Sequence, residues 1–79
     1  MKPMSHHADK VYKQLLAIAY SKAGEEPYTN ADLLELINHN LSTNEQRRLG
    51  RKFSYHAKRK PHYFEIVGKK GNNNIYRTL

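Results

Sequence analysis

The densest chemistry in this chain lies between Thr43 and Lys60, TNEQRRLGRKFSYHAKRK, where Arg47, Arg48, Arg51, Lys52, Lys58, Arg59 and Lys60 supply half of the fourteen lysines and arginines. Cationic groups at that density bind polyanions, and within the stretch only Glu45 opposes them. On a helical wheel of about 100° per residue, Asn44, Arg47, Arg51, Tyr55 and Lys58 fall on one side and Leu49, Phe53 and Ala57 on the other. One face then builds a core and the opposite face meets a partner. The plain alternative is a solvated face that only confers solubility. Two features favour docking: the near absence of offsetting acid, and Tyr55, a ring able to stack in the middle of the charges.

No comparable case exists for catalysis, a metal or a cofactor. The acids sit mainly near helix starts, where capping accounts for them, and no nucleophile stands in a pattern with a base and an orienting group. Of the five histidines, His6 and His7 are adjacent near the chain start, while His39, His56 and His62 lack a histidine at helical spacing and there is no cysteine to join them. The GKKG run has glycines and lysines without the spacing, or the following helix, of a nucleotide-phosphate loop. The expectation is a binding protein with no enzyme activity, no metal and no cofactor. Among the tyrosines, Tyr12 and Tyr28 fit apolar faces. Tyr63 and Tyr76 have two readings: facing outwards together they form a stacking platform for unpaired bases, and facing the first helix they belong to the core.

Seventy-nine residues make one domain with a small core, and an apolar content of 38% argues against a disordered chain. The net charge of +7 points to nucleic acid, an anionic surface or an acidic protein as partner. The lack of cysteine suits a reducing compartment, and no apolar run approaches the length of a signal-peptide core or a membrane span. The cytoplasm is therefore the expected location, without a membrane partner.

The elements that must position the basic stretch can be read in order. Residues 1–7 form a polar, frayed lead-in, with Ser5 as a cap for the first helix. That helix spans about 8–23, with Ala8, Val11, Leu15, Ile18 and Ala19 on one face, and Gly24 closes it. Thr29 and Asp32 mark the start of a short second helix, about 30–38, that buries Leu33, Leu36 and Ile37. His39–Ser42 makes a tight turn holding Leu41. Ser42 with Glu45, or Thr43 with Gln46, can cap the third helix; Thr43 is preferred, and Pro61 stops the helix near Arg59. Gly50, in mid-helix at the border of the two faces, implies close approach of another backbone. Beyond Pro61 the period becomes two, with His62, Phe64 and Ile66 on one face and Tyr63, Glu65 and Val67 on the other. Residues 68–74 turn the chain and 75–79 return, so that 62–79 is a hairpin with Lys69 and Lys70 at its tip. An extended stub at Pro27 and Tyr28 offers a third strand. Leu15, Ile18, Leu36, Ile37, Leu49, Phe53, Phe64 and Ile66 should form one core.

This order of two helices, a basic helix and a hairpin with a basic tip resembles the winged helix-turn-helix, a small α+β fold. The run Leu49-Gly50-Arg51-Lys52-Phe53, followed by Phe64, Gly68-Lys69, the asparagine cluster and Tyr76, is similar to the short bacterial and phage proteins grouped as domain of unknown function 1413. That likeness covers about the C-terminal half; it implies a small prokaryotic or phage origin and assigns no catalytic residue. The winged-helix resemblance implies a duplex-DNA-binding regulator. Its third helix would read the major groove with Asn44, Arg47, Arg51 and Tyr55, anchored on phosphate by Arg48, Lys52 and Lys58, with Lys69 and Lys70 on flanking phosphate. The alternatives are a protein-interaction module that turns the basic face to an acidic protein, and a module for single-stranded DNA or RNA.

Overall fold

Side-chain caps set where the three helices begin in the computed structural model, which describes residues 5–79. Helix α1 (His6–Ser21) starts at Ser5, whose hydroxyl accepts from the Ala8 N–H at 3.1 Å. His6 and His7 are therefore helical, two residues ahead of the expected start, and the rest of the expected lead-in, residues 1–4, lies outside the described residues. The helix buries Ala8, Val11, Tyr12, Leu15 and Ala19, and Gly24 turns the chain at a φ of 78° that disfavours other residues.

The stub before the second helix is a true strand, β1 (Tyr28–Thr29). Thr29 then caps α2 (Asn30–Glu35) reciprocally: its hydroxyl accepts from the Asp32 N–H, and the Asp32 carboxylate accepts from the Thr29 N–H at 2.9 Å. This helix ends earlier than the expected Asn38. Tight turns from Leu36 and Ile37 back to the Leu33 and Leu34 carbonyls swing Leu36 outwards, where it is 60% exposed, and Leu34 takes the core position expected of it. The connection to the next helix spans residues 36–42 and is no tight turn. Buried Ile37 and Leu41 pin it, and the Leu41 N–H donates to His39 Nδ1 at 3.2 Å.

Helix α3 (Thr43–Arg59) is capped by Ser42, not by the favoured Thr43. Gln46, the partner Thr43 would need, donates its amide to the Leu41 carbonyl instead, while the Glu45 carboxylate accepts from the Ser42 N–H at 3.3 Å. A charged acceptor at this position makes the stronger cap. Glu45 also accepts from the Ser5 hydroxyl at 2.9 Å, tying the start of α1 to the start of α3. That bond first, then those from Ser42, hold its carboxyl below the ordinary range.

Strands β2 (Phe64–Lys70) and β3 (Asn73–Thr78) pair antiparallel, and β1 pairs with β3, giving the order β1-β3-β2. The strands run into the segment expected to be loop. Lys69 faces Asn74 and Lys70 faces Asn73, so only Gly71 and Asn72 turn, with Gly71 at a φ of 62°. A single glycine supplies the positive φ that a two-residue turn needs, and the asparagines on the return side are free to extend. Val67 is left over between the Ile66–Tyr76 and Gly68–Ile75 pairs, a bulge.

Leu15, Leu33, Leu49 and Phe53 are fully buried between the helices and the sheet. Phe53 meets Phe64 and Tyr76 edge-on at 5.5 and 4.8 Å. Thr78 donates to the Ala19 carbonyl at 2.6 Å and pairs with the Tyr28 hydroxyl, so the last strand is clamped to α1 by satisfied polar groups. Of the expected core, Ile18 is only partly buried, while Ile66 is 40% exposed because β2 is the edge strand and its neighbour Val67 bulges. The architecture is α+β: three helices and a three-stranded antiparallel sheet in the arrangement of a small winged helix.

Candidate nucleic-acid interface

Because Leu49, Phe53 and Ala57 turn α3 into the core, the opposite side of the helix must face solvent. Asn44, Arg47, Arg51, Tyr55 and Lys58 are all exposed there, a row of roughly 20 Å at 1.5 Å per residue. Among the described residues, Arg47, Arg51 and Lys58 have no carboxylate within ion-pair distance, so their charge is uncompensated. Arg48 is half-buried at the edge of the row. Lys52 departs from it: its Nζ lies 3.7 Å from Asp9 and 4.5 Å above the Tyr12 ring, which draws the side chain against α1.

On the other flank of α3 the surface is concave. A groove of about 700 Å³ runs between α2, α3 and the hairpin turn, with Arg47 and Arg51 on its wall, Gly50 and Asn30 among its lining, and Asn72, Asn73 and Asn74 across from them. The groove explains Gly50. A Cβ there would stand 3.0 Å from Asn30 Nδ2, so the mid-helix glycine makes room for a side-chain amide and not, as expected, for a backbone. Asn30 Oδ1 is buried with no hydrogen-bond partner among the described residues, a condition that costs about 1–3 kcal/mol.

The hairpin stands beside this groove as a wing. Lys69 and Lys70 are both exposed but sit on opposite faces, since successive strand residues alternate. Lys69 shares the face of Asn74, whose amide reaches Ser54 of α3 at 3.4 Å; Lys70 lies on the outer face. Tyr76 is 2% exposed and packed on Phe53, which removes it from any stacking platform, whereas Tyr55 is 59% exposed.

No family model and no curated protein matches the chain. One solved structure, named "SCCmec type IV LP1413 - nucleic acids binding protein", superposes on it with a TM-score of 0.86 at 31% identity, covering 100% of this chain and 94% of that one. This chain belongs to the LP1413 family.

In this member of the LP1413 family the side of α3 away from the groove is closed by aromatic packing. The Tyr20 hydroxyl and His56 Nε2 lie 2.8 Å apart, and Tyr20 meets Tyr63 and Phe64 edge-on. Burial, with the nearby Lys60 and Arg59 charges, pushes the His56 imidazole below its ordinary value of 6.5. The folded chain then binds fewer protons at this site than the unfolded chain, so the stability tied to neutral His56 is fully present above about pH 6.5 and is lost as pH falls through the lowered value. The thermal midpoint should fall between pH 7.5 and 5.5, and more steeply in the parent protein than in His56→Gln. Equal slopes for the two proteins would remove His56 from the account.

The residues of this LP1413-family site that sequence reasoning missed are Asn30, Gln46, Ser54 and the 72–74 amides. The NNN run was visible but carried only a turn signal, because its placement against α3 depends on the register of the hairpin. Asn30 looked like one more helix-start residue. Among the described residues no helix is long and apolar enough to cross a membrane.

Proposed function

We propose that this chain binds nucleic acid through the exposed row of α3 and the adjoining wing. The observation that carries the reading is the uncompensated row Arg47, Arg51 and Lys58 beside the Lys69 face of the hairpin, held rigid by a fully buried opposite face. The likeness to LP1413, a protein named for nucleic acids binding and matched over 94% of its chain, supports it. In the finer reading, the arrangement works as a winged helix-turn-helix on duplex DNA. Helix α3 enters the major groove, Arg47 and Arg51 fork onto guanine O6 and N7, Asn44 pairs with adenine, and Tyr55 completes the reading row. Arg48 and Lys58 anchor on phosphate, Lys52 being drawn away against Asp9 and Tyr12 of α1, and the wing lies over the flanking backbone. The role is that of a small bacterial or phage regulator, in keeping with the resemblance to domain of unknown function 1413.

A second reading, single-stranded DNA or RNA, draws on the groove. A concave channel lined in part by asparagine amides, with the exposed Tyr55 next in sequence to its lining residue Ser54, suits a strand whose bases are unpaired. Titrating labelled duplex, single-stranded DNA and RNA over a salt series tests both. A log-linear fall of affinity with salt, together with preference for one form, supports nucleic-acid binding and chooses between the readings. Weak binding that is equal for all three and for heparin overturns it and leaves the basic face to an acidic protein.

The wing makes its own prediction. Lys69→Ala with Lys70→Ala should weaken binding to all sequences alike and flatten the salt slope by about 1–2. Lys69→Ala should carry the larger share, since Lys69 sits on the Asn74 face beside α3. A changed sequence preference in the double variant would show the hairpin reading bases.

A further inference from the structure

Neither the row on α3 nor the groove beside it accounts for where the exposed apolar side chains lie. Among the described residues seven large hydrophobic side chains are exposed, and five of them gather at one margin of the sheet. Ile66 and Val67 belong to β2 and Tyr63 directly precedes it. The Leu79 N–H donates to the Tyr63 carbonyl at 2.8 Å, and the Tyr20 ring lies edge-on to Tyr63. Single exposed apolar residues are ordinary, whereas a contiguous group marks an interaction surface. The strand they border is an edge: in the order β1-β3-β2 its far side meets no other strand among the described residues. The register says which main-chain groups face that way. Since the Tyr63 carbonyl is bonded to Leu79, Tyr63 and then Glu65 turn their main chain to β3, and Phe64 and Ile66 turn theirs outwards. The Lys60 carbonyl takes the Phe64 N–H, which leaves the Phe64 carbonyl and both main-chain groups of Ile66 for a further ladder. Lysines and a bulge, the usual protections of an edge, lie on the tip half only, at Val67, Lys69 and Lys70.

We infer that β2 takes up an extended, acidic segment of a partner protein as a fourth strand, paired with Phe64–Ile66 and packed on the apolar side chains around them. Main-chain pairing supplies the affinity of such an added strand, and the side chains that flank it supply the selection. Charge decides what is selected. Glu65, the one carboxylate on β2, is already bonded to Arg77 of β3 at 2.6 Å. Lys69 and Lys70 stand exposed towards the tip, and Arg59 and Lys60 stand exposed ahead of the strand, next to Phe64. An incoming segment therefore meets cations at both ends and an apolar centre, which carboxylates flanking valine-like residues complement. A second copy of the chain would set +7 against +7, which opposes that occupant. A nucleic-acid strand has no run of donors and acceptors at the spacing of a β ladder. The inference goes beyond the nucleic-acid reading and uses no residue of the α3 row, so one molecule can hold nucleic acid and a protein partner at once.

The probe is a labelled peptide of about ten residues, with valine and threonine in the centre and glutamate at both ends. Its controls are the same peptide ended by lysine and the acidic peptide with prolines in the centre, which cannot pair. By fluorescence anisotropy on the full chain, the acidic peptide should bind at least about tenfold tighter than either control. Its addition should slow hydrogen exchange at the Ile66 amide and not along the α3 row. Ile66→Pro removes the outward N–H at an edge position, where proline is tolerated, and should weaken the peptide by about tenfold while leaving affinity for labelled DNA the same. Should its thermal midpoint fall, Ile66→Asp carries the test, since it sets a charge against the acidic peptide without touching the main chain. Equal binding of the three peptides, or of the parent protein and a folded Ile66→Asp, overturns the inference, as does protection that appears at α3 in place of Ile66. A dimer of the parent protein, seen by light scattering and dissolved by Ile66→Asp, gives the edge to a second copy and overturns it too. Loss of DNA binding in these variants, with no peptide bound by the parent, gives the edge to nucleic acid and does the same.

Discussion

Phe53→Ala is expected to cost about 3–5 kcal/mol, a large part of the roughly 5–15 kcal/mol that holds a small domain together. Phe53 is fully buried where α3 meets the sheet, and its ring is packed edge-on by both Phe64 of β2 and Tyr76 of β3. No neighbour is free to fill the space. Tyr76 is held through its hydroxyl by Asn74, and Phe64 is packed by Tyr20 from the other side. Chemical denaturation at constant slope should report the loss as a lowered midpoint. An unchanged midpoint would mean that the faces of α3 are assigned the wrong way round.

The largest functional effect is expected from Arg47→Ala with Arg51→Ala. Each arginine is exposed, without an acidic partner among the described residues, and one turn from the other on the same side of α3. If they fork onto bases, each substitution should lose about 1–3 kcal/mol on the preferred site and much less on random sequence. If they hold only phosphate, the double variant should weaken every sequence alike and flatten the salt slope by about 2. Loss of function in cells cannot distinguish these from docking on an acidic protein, because that partner would use the same side chains; titration of purified protein against defined oligonucleotides does. Unchanged affinity in the double variant would take the exposed face of α3 out of the interface.

Much of the frame is legible in the sequence alone, because it depends on local chemistry. Thr29 with Asp32, Ser5, Pro61 and Gly24 mark element ends through caps and forbidden geometry, which act within one turn of the chain. The division of α3 into Leu49, Phe53 and Ala57 against Asn44, Arg47, Arg51, Tyr55 and Lys58 is a matter of helical period, and the fold preserves it. Tertiary structure decided the rest wherever two or more choices were locally equal. Ser42 prevails over Thr43 because Gln46 is engaged by the Leu41 carbonyl and Glu45 by Ser5 across the fold. Leu34 is buried and Leu36 exposed because α2 stops at Glu35, and Tyr76 is core because its strand lies between β1 and β2. The groove is the clearest case: Asn30, Gly50 and Asn74 stand twenty or more residues apart in the chain, and no local signal says that they meet. Their meeting depends on how closely α2 packs against α3 and on the register of the hairpin, both set by long-range burial and not by the propensity of any segment.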